Sequence, residues 1–209
     1  MKLYTDPTAP NPMRLHYFMA YKNIELDTEI VSLREGNNFT EEFRSKNPLR
    51  TLPLLELNDK TVLTDTIAIC VYLEHLFPSR PLFGETDLEF AQVIGWCHRN
   101  YSYGVEAVGE VFRNQGDFFK DRALPLKVPV AQNPDLIDRG NLRIDEFYNE
   151  LNSHLTNRSH IVGDKLTQAD IDTLVTCHIA NWVNKPIPET HIGIRNWFGI
   201  VKNELPALK

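Results

Sequence analysis

The sequence predicts an α/β domain followed by an all-helical domain. Three observations predict it. The order strand, helix, strand, helix, strand, strand, helix fits within about the first 78 residues; strand signals fade beyond Pro81; apolar residues then recur at helical spacing almost to the end. At 209 residues the chain is long for one small domain and suits two modest ones.

Lys2 to Thr5 reads as a short strand that Asp6-Pro7 breaks. The segment Thr8-Ala9-Pro10-Asn11-Pro12 reads as a loop. Leu15, Phe18 and Met19 then share a helical face that ends near Lys22-Asn23. Asn11 is the expected N-cap of that helix, with Pro12 at its first position, where a missing N–H costs nothing. Leu26 to Leu33 alternates as a strand around Ile30 and Val31. Thr40 caps a polar helix to Lys46 with Phe43 turned inward, and Pro48 stops it. Leu52 to Leu57, the turn Asn58-Asp59-Lys60, and Thr61 to Leu63 read as a hairpin. Asp65-Thr66 opens a helix that is apolar nearly all round, from Ile67 to Leu73, which predicts a helix sandwiched between other elements. A β-α-β unit with an antiparallel hairpin and a closing helix is the thioredoxin-like arrangement. We expect this domain over residues 1–79, a linker over 80–85, and a helical domain over 86–209. Its helices are expected over Leu88–Asn114, Leu136–Leu155, Thr167–Val183 and Ile192–Glu204, with Pro125 and Pro129 inside an irregular stretch from Gln115 to Asn133.

The bulk numbers exclude several classes. A net charge of -6 without a Lys/Arg run argues against nucleic-acid partners. The three cysteines, Cys70, Cys97 and Cys177, form no C-x-x-C pair, which argues against a disulfide framework and a structural zinc site. No His/Asp/Glu cluster has metal-ligand spacing and no G-x-x-x-x-G-K phosphate loop occurs. The N-terminus carries no secretory pattern and no stretch approaches membrane-spanning length, so the expected location is the cytoplasm, away from membranes.

Two places carry candidate binding chemistry. Leu52-Pro53 stands at the start of a strand, where a proline removes a ladder donor. In thioredoxin-like folds a cis proline here turns the preceding backbone toward a peptide-like ligand; the plain alternative is an ordinary strand-starting proline. Asp65-Thr66 stands at a helix N-terminus, which suits a carboxylate, with Asp65 able to accept from an ammonium. Simple capping is the alternative there. Thr167-x-x-Asp170 reads as a structural capping box.

These segments carry a family resemblance. Asn47-Pro48-Leu49-Arg50-Thr51-Leu52-Pro53-Leu54-Leu55 resembles the NP-x-x-x-(V/I)-P-x-L segment of glutathione transferases, with Leu52 for a β-branched residue. Leu63-Thr64-Asp65-Thr66-Ile67-Ala68-Ile69 is similar to their L-x-(E/D)-S-x-A-I segment, and Gly163-Asp164 through Ala169-Asp170 to their G-D-x-x-(T/S)-x-A-D signature. The likeness spans essentially the whole chain. It implies that Leu52, ahead of a cis Pro53, pairs its backbone with the cysteinyl part of glutathione. It also implies that Asp65 and Thr66 hold the γ-glutamyl end and that Asn38 contacts the glutathione backbone. It implies glutathione as cosubstrate, no metal, and a homodimer.

The usual catalytic hydroxyl is missing, because Ala9 takes the serine position. Ala9-Pro10-Asn11 resembles the nu-class bacterial transferases and the yeast nitrogen-regulatory prion protein of the same fold. That likeness places Asn11 near the glutathione sulfur; the alternative is that Asn11 only caps the helix. Thr8 is a second candidate donor. A neutral amide donor implies weak conjugation, and the nu-class likeness implies disulfide reduction by two glutathione thiols. The electrophile is expected between the domains, against Trp96, Tyr101, Tyr103 and Phe112, although aromatics at helical spacing usually form core. The competing reading is a non-enzymatic glutathione sensor or protein-binding scaffold on this fold. A zeta-class isomerase is disfavoured by the absence of a Ser-Ser-Cys loop.

Overall fold

The computed structural model describes residues 1–124, 126 and 128–207. The chain divides into two compact units, one built from Met1–Phe83 and the residues after Glu204, the other from Gly84–Glu204.

The first unit is a four-stranded sheet in the order β2-β1-β3-β4, made of Lys2–Thr5 (β1), Asp27–Ile30 (β2), Leu54–Glu56 (β3) and Val62–Thr64 (β4). β2 runs parallel to β1, with Lys2 opposite Asp27; β3 and β4 are antiparallel neighbours. Helix α1 (Pro10–Lys22) makes the crossover, α2 (Glu41–Lys46) follows β2, and α3 (Thr66–Leu76) closes the unit. This is the thioredoxin-like domain that the order of elements predicts. Side chains alternate across the sheet. Leu3 and Leu55, paired across β1 and β3, are fully buried, as are Leu15, Phe18, Ile69, Cys70 and Leu73 from α1 and α3. On the other face Tyr4, Val31, Leu52 and Leu54 cluster with Phe43 of α2. Thr40 caps α2 by accepting from the Phe43 N–H at 3.3 Å, as its sequence position suggests.

Three expectations about the strands and the closing helix of this unit need correction. Strand β3 begins at Leu54 rather than Leu52, because Pro53 has no N–H to give the ladder. β2 ends at Ile30, which is 60% exposed, and Val31 is buried just beyond it. Helix α3 is not sandwiched: it buries Thr66, Ile69, Cys70 and Leu73, while Ala68 and Leu76 stay exposed.

The second unit is all-helical, so the chain combines a thioredoxin-like N-terminal domain with a helical C-terminal one. Its helices are α4 (Asp87–Arg99), α5 (Glu106–Gln115), α6 (Asp135–Leu155), α7 (Gln168–Ala180) and α8 (Ile192–Glu204). The expected single helix over Leu88–Asn114 is interrupted by a π-helical segment, Asn100–Val105, between α4 and α5. The wider turn sets Gly104 against α6 and α7, where a Cβ would come within 2.7 Å of Thr176 and 3.2 Å of Phe147. α7 is buried on every side except at His178. Its start is organised by Asp170, whose carboxylate accepts from the N–H and Oγ1 of Thr167, the Ile161 N–H and Trp197 Nε1, all within 2.9 Å. Within the irregular stretch after α5, Gln132 Nε2 donates to the carbonyls of Arg113 and Gly116, and Asn133 N–H to Asn114 Oδ1. Pro125, expected to break this stretch, lies outside the described residues.

Candidate active site

Three chain segments reach the same end of the sheet. β1 runs out into Asp6, β3 starts just after Pro53, and β4 stops just before Asp65. Tyr4, Leu54 and Thr64 lie side by side in the two registers. The N-termini of α1 and α3 lie at this end too, so partial positive charge gathers there.

The first segment is the loop into α1. Asp6 is buried and organises it: Oδ1 accepts from the Thr8 N–H and Oγ1, Oδ2 accepts from the Leu33 N–H, and its carbonyl accepts from the Ala9 N–H. Burial pushes the Asp6 carboxyl up, but the bonds from Thr8 and Leu33 outweigh it and hold the carboxyl below its ordinary range. The Thr8 hydroxyl therefore spends its single proton on Asp6, at 2.6 Å.

Asn11 is not the N-cap of α1. The cap position falls on Ala9, and Pro10 and Pro12 both sit in the first turn, where N–H groups have no helical partner. Two prolines in that turn leave the Asn11 N–H as its remaining backbone donor. The Asn11 side chain is held from below: Oδ1 accepts from Nη1 of buried Arg14 at 2.9 Å. A guanidinium only donates, so this contact fixes which end of the amide is which. Nδ2, with two N–H donors, faces away from Arg14 and bonds no described residue.

The second segment is Leu52-Pro53. The peptide bond between them is cis. The Leu52 side chain is buried in the core cluster, and neither its N–H nor its carbonyl takes part in a backbone hydrogen bond among the described residues. A strand-like donor and acceptor therefore stand free at the edge of the site.

The third segment is the start of α3. Asp65 occupies the N-cap position at φ 67° and ψ 124°, a region that non-glycine residues rarely adopt. Its side chain accepts no capping bond and is exposed, so capping does not account for it. The first-turn N–H groups of α3 lack intrahelical partners. Thr66 is buried and its hydroxyl donates to the Asn11 carbonyl at 3.0 Å, which ties α3 to the first turn of α1. Its proton is thus already spent, and what it offers outward is its backbone N–H.

Asn38 lies in a short turn before α2. Its Nδ2 donates to the Arg50 carbonyl at 3.1 Å, while its Oδ1 is buried without a partner. Arg50 itself, at φ 58°, stacks its guanidinium over Phe39 at 5.2 Å and keeps a buried, unpartnered Nε. Orphaned buried polar atoms of this kind are costly, and a ligand is one way to satisfy them.

The predicted electrophile residues lie on α4, the π-helical segment and α5. Trp96 of α4 packs against His154 at 4.3 Å and under Arg99 at 4.9 Å. Phe112 of α5 packs against Phe119 and Trp182, at 5.2 and 5.5 Å. Tyr101 and Tyr103 lie in the π-helical segment and are 40% and 56% exposed. Among the described residues no group of three or more His, Cys, Asp or Glu is placed to hold a metal, and no helix is long and apolar enough to cross a membrane. Sequence reasoning missed Asp6, Arg14 and Arg50. The Asp-Pro-Thr turn signature was a local signal for Asp6; Arg14 and Arg50 gave none, because their roles depend on what folding buries beside them.

The chain thus has a thioredoxin-like domain with free backbone groups at the end of its sheet, joined in sequence to a helical domain. Residues 8–76 match the family model for the glutathione S-transferase N-terminal domain. Glutathione S-transferase 2 of Saccharomyces cerevisiae is 26% identical over 200 residues, covering 95% of this chain and 84% of that one. Two crystal structures are similar throughout. One is a glutathione S-transferase domain-containing protein of Marinobacter aquaeolei, at 28% identity and a TM-score of 0.87, covering 96% of this chain and 97% of that one. The other is Gtt2 of Saccharomyces cerevisiae, at 26% identity and a TM-score of 0.84, covering 98% and 100%. Over most of its length, then, the chain is similar to glutathione S-transferases.

Proposed function

We propose that the protein is a glutathione-dependent transferase, weak in conjugation, that reduces small disulfides with two glutathione molecules. In that reaction two thiols are oxidised to glutathione disulfide and the substrate disulfide leaves as two thiols. The observation that carries the reading is the convergence of the free Leu52 backbone, the start of α3 and the Asn11 amide at one end of the sheet. In this reading the cysteinyl backbone of glutathione pairs with Leu52 as an added strand. The γ-glutamyl carboxylate meets the N–H groups of α3, and its ammonium meets Asp65. Asn38 Oδ1 accepts an N–H of the tripeptide, and Arg50 faces the glycyl carboxylate. Residues 1–79 hold glutathione, and residues 86–209 form the helical domain.

The sulfur lies at Asn11, which offers Nδ2 and its backbone N–H. This is the reading that the Ala-Pro-Asn likeness to the bacterial nu class and the yeast prion protein suggests, and the geometry favours it over Thr8, whose proton goes to Asp6. An amide lowers a thiol pKa less than an optimal hydroxyl network does, so slow conjugation follows. The disulfide route needs no protein cysteine, in keeping with buried Cys70, Cys97 and Cys177. We place the enzyme in the cytoplasm as a homodimer; the uncovered apolar positions Ala68 and Leu76 of α3 suit a second copy.

The test is calorimetric titration with glutathione, followed by turnover of a chlorodinitrobenzene-type electrophile and of a small disulfide. The reading expects binding, slow conjugation and faster disulfide reduction. Binding without either turnover would place the protein among non-catalytic glutathione sensors or scaffolds.

A further inference from the structure

The helical unit carries a cation that its own carboxylates leave unpaired. Arg113, in the last turn of α5, is half-buried. Glu110, three residues before it on the same helix, is taken by Arg139 and Arg143, at 2.7 Å each. Among the described residues no other carboxylate reaches Arg113 within ion-pair distance. Burial pushes its guanidinium pKa below the ordinary value, with Tyr101 only partly opposing the shift. Half-burying a charge without a counter-charge is expensive, and arginine is seldom placed so.

The surroundings are aromatic. The Phe119 ring lies 6.0 Å from the guanidinium carbon. Phe119 packs on Phe112, and Phe112 on Trp182. The cluster is not sealed: Tyr101 is 40% exposed, Phe118 54% and Trp182 37%. An open aromatic wall beside an uncompensated guanidinium complements one kind of ligand. A neutral hydrophobe would bury the charge further without answering it. A polyanion is disfavoured by the net charge of -6. A small aromatic acid both stacks on the rings and pairs with the fork of donors.

We propose that Arg113, with the Phe112, Phe119 and Trp182 rings, forms a binding subsite within the helical unit for a small aromatic ligand bearing a carboxylate or sulfonate. The inference goes beyond the transferase reading above and stands on the helical unit alone.

Naphthoate and naphthamide are non-reacting probes of nearly equal shape, one anionic and one neutral. Each is titrated calorimetrically, without glutathione, into the full chain and into its Arg113→Met and Arg113→Lys variants. Naphthoate should bind wild type at least about tenfold more tightly than naphthamide. Arg113→Met should abolish that preference while naphthamide still binds, which also shows that the variant is folded. Arg113→Lys should keep part of the preference, since it keeps the charge but loses the planar fork. Equal affinities in wild type, a preference that survives Arg113→Met, or no naphthoate binding would each overturn the proposal. Glutathione binding, titrated separately on the same protein, tests the transferase reading without touching this one.

Discussion

Replacing Asn11 separates a donor to sulfur from a structural amide. Its Oδ1 serves Arg14 and its Nδ2 is left to the site. A hydrogen bond to a charged group is worth about 1.5–3 kcal/mol. Losing one to the thiolate should raise the bound thiol's pKa by about 1–2 units, at about 1.4 kcal/mol per unit. At neutral pH turnover should then fall by about 10- to 100-fold. Total glutathione affinity should change by less than about threefold, because the protonated thiol gains little from the bond. Asn11→Ala also deprives buried Arg14 of an acceptor and should lower Tm. Asn11→Asp restores that acceptor, with a charge, while setting a carboxylate where the donor stood. Stability should therefore run Asp at or above wild type, then Ala; turnover should run wild type, then Ala, then Asp. The assays are thermal melts, calorimetry, and the pH profile of disulfide turnover. An Asn11→Asp variant with wild-type turnover would refute the donor role, since activity would then be following stability alone.

Three further outcomes follow from the geometry. Asp65→Gly should relieve the unusual backbone at φ 67° and raise Tm, while removing the ammonium partner and weakening glutathione by about tenfold in the same calorimetry. Glu56 accepts from Lys60 and Lys46 at 2.7 and 2.9 Å, and these contacts hold its carboxyl down at about 2. Because the folded pKa is depressed, its contribution is present above the unfolded value of about 4.3 and is lost as pH falls toward about 2. Thermal melts across that window should decline less steeply for Glu56→Gln than for wild type. Asp170→Ala should strand the buried Trp197 Nε1 and the Ile161 and Thr167 N–H groups, costing about 3–5 kcal/mol in denaturant unfolding.

What the sequence made legible was whatever a local signal governs. Thr40 announces α2 because a cap and its recipient lie three residues apart, and α8 runs over Ile192–Glu204 as its periodicity indicates. Helix α1 was legible in kind but misplaced by two residues at its start. Pro10 and Pro12 are both permitted in a first turn, and local chemistry does not choose between them. The π-helical segment was hidden because its extra residue is fixed by the approach of Gly104 to Thr176 and Phe147, which lie far along the chain. The site divides in the same way. Leu52, Pro53, Asp65 and Thr66 stood out by type and place. The uncapped state of Asp65, the spent proton of Thr8, the clamp of Arg14 on Asn11 and the orphaned atoms of Asn38 and Arg50 arise only when distant segments meet.

A crystal of the full chain grown with glutathione puts the thiol assignment to its most direct trial. The account predicts the cysteinyl N–H and C=O on the Leu52 backbone, the γ-glutamyl carboxylate at the first turn of α3, and the sulfur within hydrogen-bond reach of Asn11 Nδ2. Electron density for the tripeptide elsewhere, or a sulfur turned away from Asn11, would contradict it.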